Sequence, residues 1–468
     1  MRQRKISLLT KIRFTDEKKR FFRMFGRFFI KREGQNLKHL KGVNAPHLKN
    51  TSKEIPVEMP VPDMVTIPMG MHIGAPCKPV VAVGDEVKVG QLIGEPQGFV
   101  GAPIHSSVSG KVKGLVKIQL FNGMADAVQI EADKEQTVWE GIKPPEVTDT
   151  KSFLDAVRAS GLVGLGGAGF PTMVKLSIKE GASVDYLIIN GAECEPYLTS
   201  DYSTMMIDTD FVISGAAAVK KYTNAGKVII AIEDNKPDAV ALFKEKTAGM
   251  EGFEVASLPS KYPQGGEKVL IYNLTQRIVA AGKLPLDVGC IVMNMTSTAF
   301  LGKYLKTGMP LTSKCVTIEG SAAAHPCKII APIGTKVKDV IEAAGGYKGT
   351  PVKLIAGGPM MGMTAPNDEI PVVKNSNGFV ILDEKDAALP EEGECINCGR
   401  CADACPLKLM PNRIARAFKH NDLDELANLQ VTLCMECGCC SYVCPAKRDL
   451  VLRNKLSKAA LAKRAKRG

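Results

Sequence analysis

The first 35 residues carry a helical pattern of aromatic and basic positions. Five phenylalanines fall on one face of a helix and five basic side chains on the other: Phe21, Phe22, Phe25, Phe28 and Phe29 against Lys19, Arg20, Arg23, Arg27 and Lys31. Such a helix suits a membrane surface, where anionic headgroups attract the basic face. It suits equally a helix that packs its Phe stripe on a partner protein or on its own domain. We therefore predict that residues 1–50 form a basic amphipathic docking segment.

Residues 51–145 change to short β segments separated by glycines. VVAVGDEVKVGQLIGE and APIHSSVSGKVKGL each have the rhythm of strands joined by tight turns. This pattern resembles the barrel-sandwich fold of biotinyl and lipoyl carrier domains. Those domains expose a modified lysine at a hairpin tip, whereas the linking segment EPQGFVGAPIHS contains no lysine. We therefore predict a barrel-sandwich module with a structural role.

Residues 146–312 alternate short apolar runs with helical ones, the rhythm of an α/β domain with a largely parallel sheet. Strands are predicted in VDYLIING, KVIIAIED and FEVASLP. A loop, Gly164-Leu165-Gly166-Gly167-Ala168-Gly169, matches G-x-G-x-x-G, but SFLDAVRASG before it has a helical pattern, whereas the dinucleotide fingerprint follows a strand. We expect a loop whose N–H groups close on a phosphate and not an ordinary Rossmann NAD site. The helix PTMVKLSIKE, starting at Pro171, would favour that anion, and Lys175 would add a charge.

The rest of the chain divides into a small module, a cysteine-rich module and a basic end. Residues 313–385 have the pattern of a β-hairpin, a helix and a further strand, which predicts a small α+β domain. Residues 386–450 hold the cysteine runs, separated by the helical spacer NRIARAFKHNDLDELANLQ, and predict a mostly helical domain. Residues 451–468 form a basic, helix-like tail that we expect in solvent or on a partner. The fold class is thus multidomain α/β.

The distribution of charge narrows the choice of partner. The 468-residue chain has a net charge of +12, but residues 1–50 contribute +12 and residues 446–468 contribute +8, so the part between them is net acidic. A nucleic-acid-binding protein spreads its basic residues over a folded face, so this pattern argues against a nucleic-acid partner. No run of 18 apolar residues and no cleavable signal peptide is present, and CxxC runs suit a reducing compartment. We predict a cytoplasmic protein.

Nine of the fourteen cysteines lie in the last quarter of the chain, in two matching runs. The runs are Cys395-x2-Cys398-x2-Cys401-x3-Cys405-Pro406 and Cys434-x2-Cys437-x2-Cys440-x3-Cys444-Pro445. Three thiolates at this spacing can wrap around three irons of a [4Fe–4S] cube, and the fourth, before a proline, ligates the other cube. The expected ligand sets are therefore Cys395, Cys398, Cys401 and Cys444 for one cluster, and Cys434, Cys437, Cys440 and Cys405 for the other. Two four-cysteine zinc sites would use the same residues, but the doubled run is more typical of clusters. Cys439 is out of register and is expected not to be a ligand.

Three segments of the central domain carry a family resemblance: GLVGLGGAGFPTMVK (161–175), INGAECEPYLTSD (189–201) and KYPQGGEKVLI (261–271). They resemble the flavin-bearing, NADH-binding subunit of respiratory complex I. Together with HIGAP, VSGKV and the two-cluster region, residues 40–450 resemble more closely the C subunits of Rnf (Rsx) ferredoxin–NAD oxidoreductase complexes. The resemblance implies a barrel-sandwich hybrid, an FMN/NADH-binding α/β domain, a small β-grasp-like (SLBB-type) domain and a helical two-cluster ferredoxin-like domain.

The resemblance also implies the residues of one flavin and nicotinamide site. FMN would be held by the glycine loop, with Lys175 near the phosphate, and by Asn190 and Glu193. Phe170 and Glu195 would lie beside the nicotinamide, with Glu195 the candidate catalytic residue. The implied cofactor-binding positions of the glycine loop and of later loops are Gly164, Gly166, Gly167, Gly169, Tyr262, Gly265, Gly266, Glu267, Asn294 and Thr296. The chain departs from the complex I pattern at Gly191, Ala192 and Cys194, where that family has Ala, Asp and Ser, which puts one flavin contact in question.

The function implied by the resemblance is that of a peripheral electron-transfer subunit at the cytoplasmic face of the cell membrane. Electrons would pass from ferredoxin, through an iron–sulfur partner subunit, to the two clusters, FMN and NAD⁺, while other subunits translocate Na⁺ or H⁺. A flavin joins two-electron hydride transfer to one-electron clusters. The alternative is a soluble flavin and iron–sulfur reductase such as a cobalamin reductase, in which the flavin domain lies near the N-terminus. A non-catalytic scaffold whose clusters stiffen the tail is a further possibility, against which the flavin loop argues.

Overall fold

The computed structural model describes residues 29–32, 35–121 and 123–465. Residues 19–28 of the predicted amphipathic helix lie outside these. Phe29 and Lys31 lie inside, and the prediction is wrong for them: strand β1 (Phe29–Arg32) pairs antiparallel with β2 (Gln35–Lys38), so their backbone is extended. In the described ranges, no helix combines the length and apolar character needed to cross a membrane.

Residues 39–50 pack on the central domain of the same chain. Val43 and Tyr262 exchange backbone hydrogen bonds of 2.8 and 3.0 Å. The ammonium of Lys49 is inserted among backbone carbonyls that include those of Glu193 and Glu195. The described end of the 1–50 segment is therefore bound to the chain's own domain, because its backbone donors and one buried cation are satisfied there.

Two small antiparallel sheets form the barrel-sandwich module. One has the strand order β4-β10-β9-β6 and the other β5-β7-β8. The strands are β4 (Met64–Pro68), β5 (Lys78–Pro79), β6 (Glu86–Val87), β7 (Leu92–Glu95), β8 (Ile104–His105), β9 (Gly110–Leu120) and β10 (Gly123–Ala132). Alternate residues such as Val128 and Ile130 face a shared core, as period-2 strands require. Strand β3 (Val57–Glu58), within the predicted 51–145 module, instead pairs with the sheet of the β-grasp-like module.

The central domain is built on four parallel strands in the order β13-β12-β11-β14. The strands are β11 (Tyr186–Gly191), β12 (Lys227–Glu233), β13 (Phe253–Leu258) and β14 (Cys290–Asn294). The helices are α1 (Thr150–Ala159), α2 (Thr172–Leu176), α3 (Ser200–Ile207), α4 (Thr209–Thr223), α5 (Pro237–Lys246), α6 (Glu267–Thr275) and α7 (Met295–Thr307), with a 3-10 turn at Pro285–Val288. The central strands are continuously buried, as expected where helices cover a parallel sheet. The predicted helix from Pro171 to Glu180 is wrong in length, because it ends at Leu176 before an irregular stretch.

The β-grasp-like module is a six-stranded sheet in the order β18-β17-β19-β15-β16-β3. Its own elements are β15 (Ser313–Glu319), β16 (Cys327–Pro332), α8 (Val337–Ala343), β17 (Lys353–Ala356), β18 (Met363–Thr364) and β19 (Gly378–Leu382). The predicted hairpin is the antiparallel pair β15–β16, and the helix packs its Val337, Val340 and Ile341 face on the sheet. The module touches both the glycine loop and the second cysteine run, as the contacts below show.

The cysteine-rich module is helical, as predicted. Its helices are α9 (Glu384–Ala387), α10 (Arg400–Ala404), α11 (Pro411–Lys419), α12 (Leu423–Asn428), α13 (Cys439–Tyr442) and α14 (Leu450–Ala465), with a 3-10 turn at Val431–Leu433. The prediction of a separate tail in solvent or on a partner is wrong for residues 451–465. Helix α14 packs on this module because Leu450, Asn454 and Ser457 recur at helical spacing and are buried on one face.

Candidate functional site

The carboxyl ends of β11 and β14 bring two predicted site residues side by side. Asn190 and Asn294 are paired in register at the ends of adjacent parallel strands. The Asn190 amide donates to the carbonyl of Gly265 at 2.9 Å, and the Asn294 amide donates to the carboxylate of Asp201 at 2.7 Å. This edge of a parallel sheet is where α/β domains bind their ligands.

The glycine loop is closed at its neck and held at its tip. Gly164 donates its N–H to the carbonyl of Phe170 at 2.9 Å. Asn375, from the β-grasp module, donates its amide to the carbonyl of Gly167 at 2.7 Å. A β-carbon on Gly166 would lie 2.5 Å from the Asn294 amide nitrogen, which places the loop directly against the strand edge. Gly169 has a φ of +70°, a conformation suited to glycine.

Asp201 connects several of the predicted residues, although the sequence assigned it no role. Its carboxylate accepts hydrogen bonds from Asn294 at 2.7 Å and from the hydroxyl of Thr296 at 2.6 Å. Its backbone N–H donates to Glu193 at 2.8 Å. The available signal was its position at the end of the segment 189–201, where it is the acidic residue in the first turn of helix α3.

Glu193 is a buried carboxylate, and one of its two oxygens accepts no hydrogen bond from the described residues. Its Oε1 accepts from Asp201, and among the described residues its Oε2 has no hydrogen-bond partner. Burial raises the pKa of Glu193, and the ammonium of Lys49, 4.0 Å from Oε2, opposes that rise. Burial in turn lowers the pKa of Lys49. No local signal could have identified Lys49, because it lies 144 residues from Glu193 in the chain.

Glu195 lies on the side of the loop that faces the β-grasp module and the cysteines. Its Oε2 accepts from the N–H of Met360 at 3.0 Å, and its Oε1 is buried and, within the described chain, without a hydrogen-bond partner. Burial raises the pKa of Glu195 to about 7. The neighbouring Tyr262 is 3% exposed and donates its hydroxyl to the carbonyl of Cys437 at 2.7 Å.

Lys175 and the segment Gly265–Glu267 meet on the other side of the strand edge. The Lys175 ammonium lies 3.2 Å from the carboxylate of Glu267 and donates to the carbonyl of Val292 at 2.9 Å. Gly266 is in close contact with the second cysteine run, since a β-carbon there would lie 2.2 Å from Cε of Met435. These predicted residues of the central domain therefore lie around the carboxyl ends of β11 and β14, with Lys175 on one side and Tyr262 on the other.

The geometry fits an anionic aromatic cofactor. Gly167 opens into space, since no atom lies within 4 Å of an added β-carbon, and its neighbours Gly166 and Ala168 are also exposed. Backbone without side chains allows close approach of a phosphate. The free oxygens of Glu193 and Glu195 are acceptors suited to the N–H groups of a flavin or nicotinamide.

The two predicted cysteine sets surround two cavities. Cys395, Cys398, Cys401 and Cys444 line the first, together with Asn412. Cys405, Cys434, Cys437 and Cys440 line the second, together with Cys439, Met435 and Asn454. The fourth cysteine of each run therefore faces the cavity of the other run, as expected for paired cubes. Among the described residues, no group of three or more Cys, His, Asp or Glu side chains is arranged to hold a single metal ion.

The backbone of the two runs repeats. Asn397 and Glu436 have φ values of 54° and 61°, and the glycines that follow the second cysteines, Gly399 and Gly438, both have φ 77°. Left-handed residues at matching positions turn the chain tightly enough to point successive thiols inward. Glycine suits this conformation, and asparagine tolerates it better than glutamate.

Cys439 lines the second cavity together with the four cysteines that are in register. It is 1% exposed, and its thiol lies 3.9 Å from the carbonyl of Tyr262. It also packs with Val43 in a small apolar cluster between the second run and the central domain. Its environment is that of a packing residue at a domain contact.

Sequence families match each of the four modules. The matches are the RnfC barrel sandwich hybrid domain at residues 37–135, the Nuo51 FMN-binding domain at 157–302, the SLBB domain at 315–364 and the 4Fe-4S dicluster domain at 394–449. With the fold and the two cavities, they define an iron–sulfur flavoprotein that carries FMN and two [4Fe–4S] clusters. The zinc alternative is thereby set aside.

Full-length relatives identify the family more closely. The chain is 43% identical over 379 residues to the C subunit of the proton-translocating ferredoxin:NAD(+) oxidoreductase complex of Clostridium ljungdahlii, covering 80% of this chain and 83% of that one. It is 41% identical over 441 residues to the C subunit of the Na(+)-translocating ferredoxin:NAD(+) oxidoreductase complex of Acetobacterium woodii, covering 92% and 100%. The chain belongs to this family of C subunits, the Rnf family.

A solved structure shares the fold. The NAD+-reducing [NiFe]-hydrogenase in its air-oxidized state superposes with a TM-score of 0.50 at 20% identity, over 67% of this chain and 63% of that chain. At this identity the likeness concerns the fold alone.

Proposed function

We propose that this chain is the electron-transferring C subunit of a membrane-bound, ion-translocating ferredoxin:NAD⁺ oxidoreductase. It passes electrons between two [4Fe–4S] clusters, FMN and NAD(H), while partner subunits translocate Na⁺ or H⁺. Two relatives that are C subunits of such complexes, at 41–43% identity, support this reading over a soluble cobalamin reductase. The barrel-sandwich family match ahead of the FMN-binding match supports it as well.

We assign FMN and NAD(H) to one site in residues 146–312. The glycine loop offers N–H groups to the FMN phosphate, and Lys175 supplies a positive charge nearby. Asn190 and Glu193 hold the flavin ring. Phe170 and Glu195 lie beside the nicotinamide. Later loops of the same site contribute the other assigned residues: Tyr262, Gly265, Gly266, Glu267, Asn294 and Thr296.

The single observation that carries the proposal is the contact between the flavin-site residues and the second cysteine set. Tyr262 donates its hydroxyl to Cys437, and Gly266 lies against Met435, which lines the second cavity. Bound flavin exchanges electrons singly or in pairs, so it connects a hydride carrier to one-electron clusters. The chain's own part is to keep the second cluster against the flavin site and to exclude water between them.

The first cysteine set then faces the partner. Cys395 and Cys398 are exposed, and Ile396 between them is 69% exposed. A partner iron–sulfur subunit, supplied by ferredoxin, would dock here. We propose further that the chain lies peripherally at the cytoplasmic face of the membrane and that the basic segment before residue 35 contacts the membrane surface or a membrane subunit.

The test of the flavin site is Gly167→Val. The valine side chain would occupy the open space above the loop, so flavin retention should fall at least about tenfold, the effect of only about 1.4 kcal/mol of lost binding. Both clusters should assemble, because their ligands lie in another module. Flavin absorbance and iron content after anaerobic gel filtration measure the two outcomes, and NADH–ferricyanide turnover reports activity.

A matched control is available in the barrel-sandwich module. At Gly98, as at Gly167, no atom lies within 4 Å of an added β-carbon. Gly98→Val should keep flavin and turnover at the level of the unmodified protein. Full flavin occupancy in Gly167→Val would show that the loop does not hold FMN.

Glu195→Ala should retain flavin and slow NADH-driven reduction. Unchanged NADH kinetics would remove Glu195 from the site.

A further inference from the structure

We infer that the C-terminal helix α14 sets the reduction potential of the second cluster through Asn454 and Lys458. The inference needs a [4Fe–4S] cluster in the second cysteine set. It does not depend on the identity of the electron donor or acceptor, so it can fail while the proposed function holds.

Asn454 presents its amide to a cluster ligand from inside the protein. It is 1% exposed and lines the second cavity. Its Nδ2 lies 3.5 Å from Sγ of Cys434, and its carbonyl oxygen is buried and lacks a hydrogen-bond partner among the described residues. Among the described residues, the side-chain amide of Asn454 therefore donates to the sulfur of Cys434. An N–H group directed at a thiolate stabilises the negative charge on its sulfur.

Lys458 follows one turn later on the same face of α14. Its ammonium donates to the backbone carbonyl of Cys434 at 2.9 Å and lies 2.5 Å from the carboxylate of Glu436. Glu436 holds the ammonium in place and offsets part of its charge. Asn454 should therefore have the larger effect of the two side chains.

The direction of the effect follows from charge. Reduction adds one electron to the cluster and its thiolates, so any group that stabilises negative charge favours the reduced form. Burial of Cys437 and Cys440 acts against the added charge. The N–H of Asn454 and the charge of Lys458 oppose that burial effect and raise the reduction potential.

The first cavity supplies a control of matched chemistry. Asn412 lines it, but its contact with Cys401 is made by the backbone N–H, which a side-chain substitution leaves in place. Lys455 is an exposed lysine on α14 and controls for the loss of one positive charge.

The experiment is an anaerobic redox titration of the full-length protein, followed by EPR. Asn454→Leu keeps a side chain that branches at Cγ and removes the donor. We expect the equilibrium constant for reduction of the second cluster to fall about tenfold, which is about 59 mV for a one-electron couple. In Asn454→Leu the first cluster should keep its midpoint, and Asn412→Leu should leave the midpoint of the second cluster unchanged.

Lys458→Met tests the second contact. It should shift the second cluster in the same direction by about threefold, the effect of a partly exposed, partly compensated charge, while Lys455→Met shifts neither. An unchanged midpoint of the second cluster in both Asn454→Leu and Lys458→Met would overturn the inference. An equal shift of that same midpoint in Asn412→Leu and Lys455→Met would overturn it as well. If Asn454→Leu does not assemble the second cluster, the Lys458→Met titration decides alone.

Discussion

The two cluster sites share a ligand pattern and a backbone but not an environment. Each run places left-handed residues at matching positions, with Gly399 and Gly438 both at φ 77°. In the first set, Cys395 and Cys398 are exposed, whereas in the second Cys437 and Cys440 are buried. The second set is covered by the Tyr262 segment, by α14 and by the β-grasp module, where a β-carbon on Gly438 would lie 2.9 Å from the carbonyl of Met360.

This difference separates two properties of an iron–sulfur site. Ligation depends on spacing and local turns, which the two runs have in common. Access and reduction potential depend on what surrounds the sulfurs, which other modules supply. One site is thus suited to exchange electrons with a partner, and the other to exchange them with the flavin domain.

The largest effect that would break the comparison is removal of a crossing ligand. Cys405→Ser should eliminate the EPR signal that Cys434→Ser eliminates, and Cys444→Ser the signal that Cys401→Ser eliminates. The reason is that each fourth cysteine faces the cavity of the other run. Unmodified protein should carry about eight irons per chain. Loss of the signal belonging to a variant's own run would show that the ligands do not cross.

A smaller effect should distinguish the clusters by access. With an iron chelator under anaerobic, reducing conditions, the first cluster should lose its EPR signal at least about tenfold faster than the second. The second must wait for local opening of the contact at Tyr262, whereas two ligands of the first, Cys395 and Cys398, are already exposed to solvent. Equal rates would mean that the covering contacts do not protect the second cluster.

The smallest effect is expected at Cys439. Cys439→Ser should leave both EPR signals and the iron content unchanged, because this thiol packs against the central domain and is not one of the four cysteines in register. Its stability cost should be within about 1–2 kcal/mol, as for a buried polar substitution that keeps a nearby acceptor. Thermal unfolding of the apoprotein measures that cost. Loss of a cluster in this variant alone would falsify the ligand assignment.

Local patterns in the sequence were enough to predict the strands of the central domain and the presence of two clusters. Continuous apolar runs at residues 186–191 and 227–233 gave the parallel strands, because helices cover both faces of such a sheet. The crossed cysteine sets followed from spacing alone. The strands and the cysteine sets both depend on residues close together in the chain or on repeats along it, and a single sequence shows such patterns directly.

Tertiary structure decided what the sequence left open or predicted wrongly. Helix α14 has the composition of a solvated basic tail, yet its Leu450, Asn454 and Ser457 face is buried on the cluster module. Lys49 reaches the carbonyls of the 193–198 loop, and Asn375 holds Gly167, across 144 and 208 residues. These contacts join modules whose relative positions no local pattern encodes. The sequence by itself therefore determined which groups the protein can bind, whereas the packing of distant segments decided how buried, how charged and how accessible each group is.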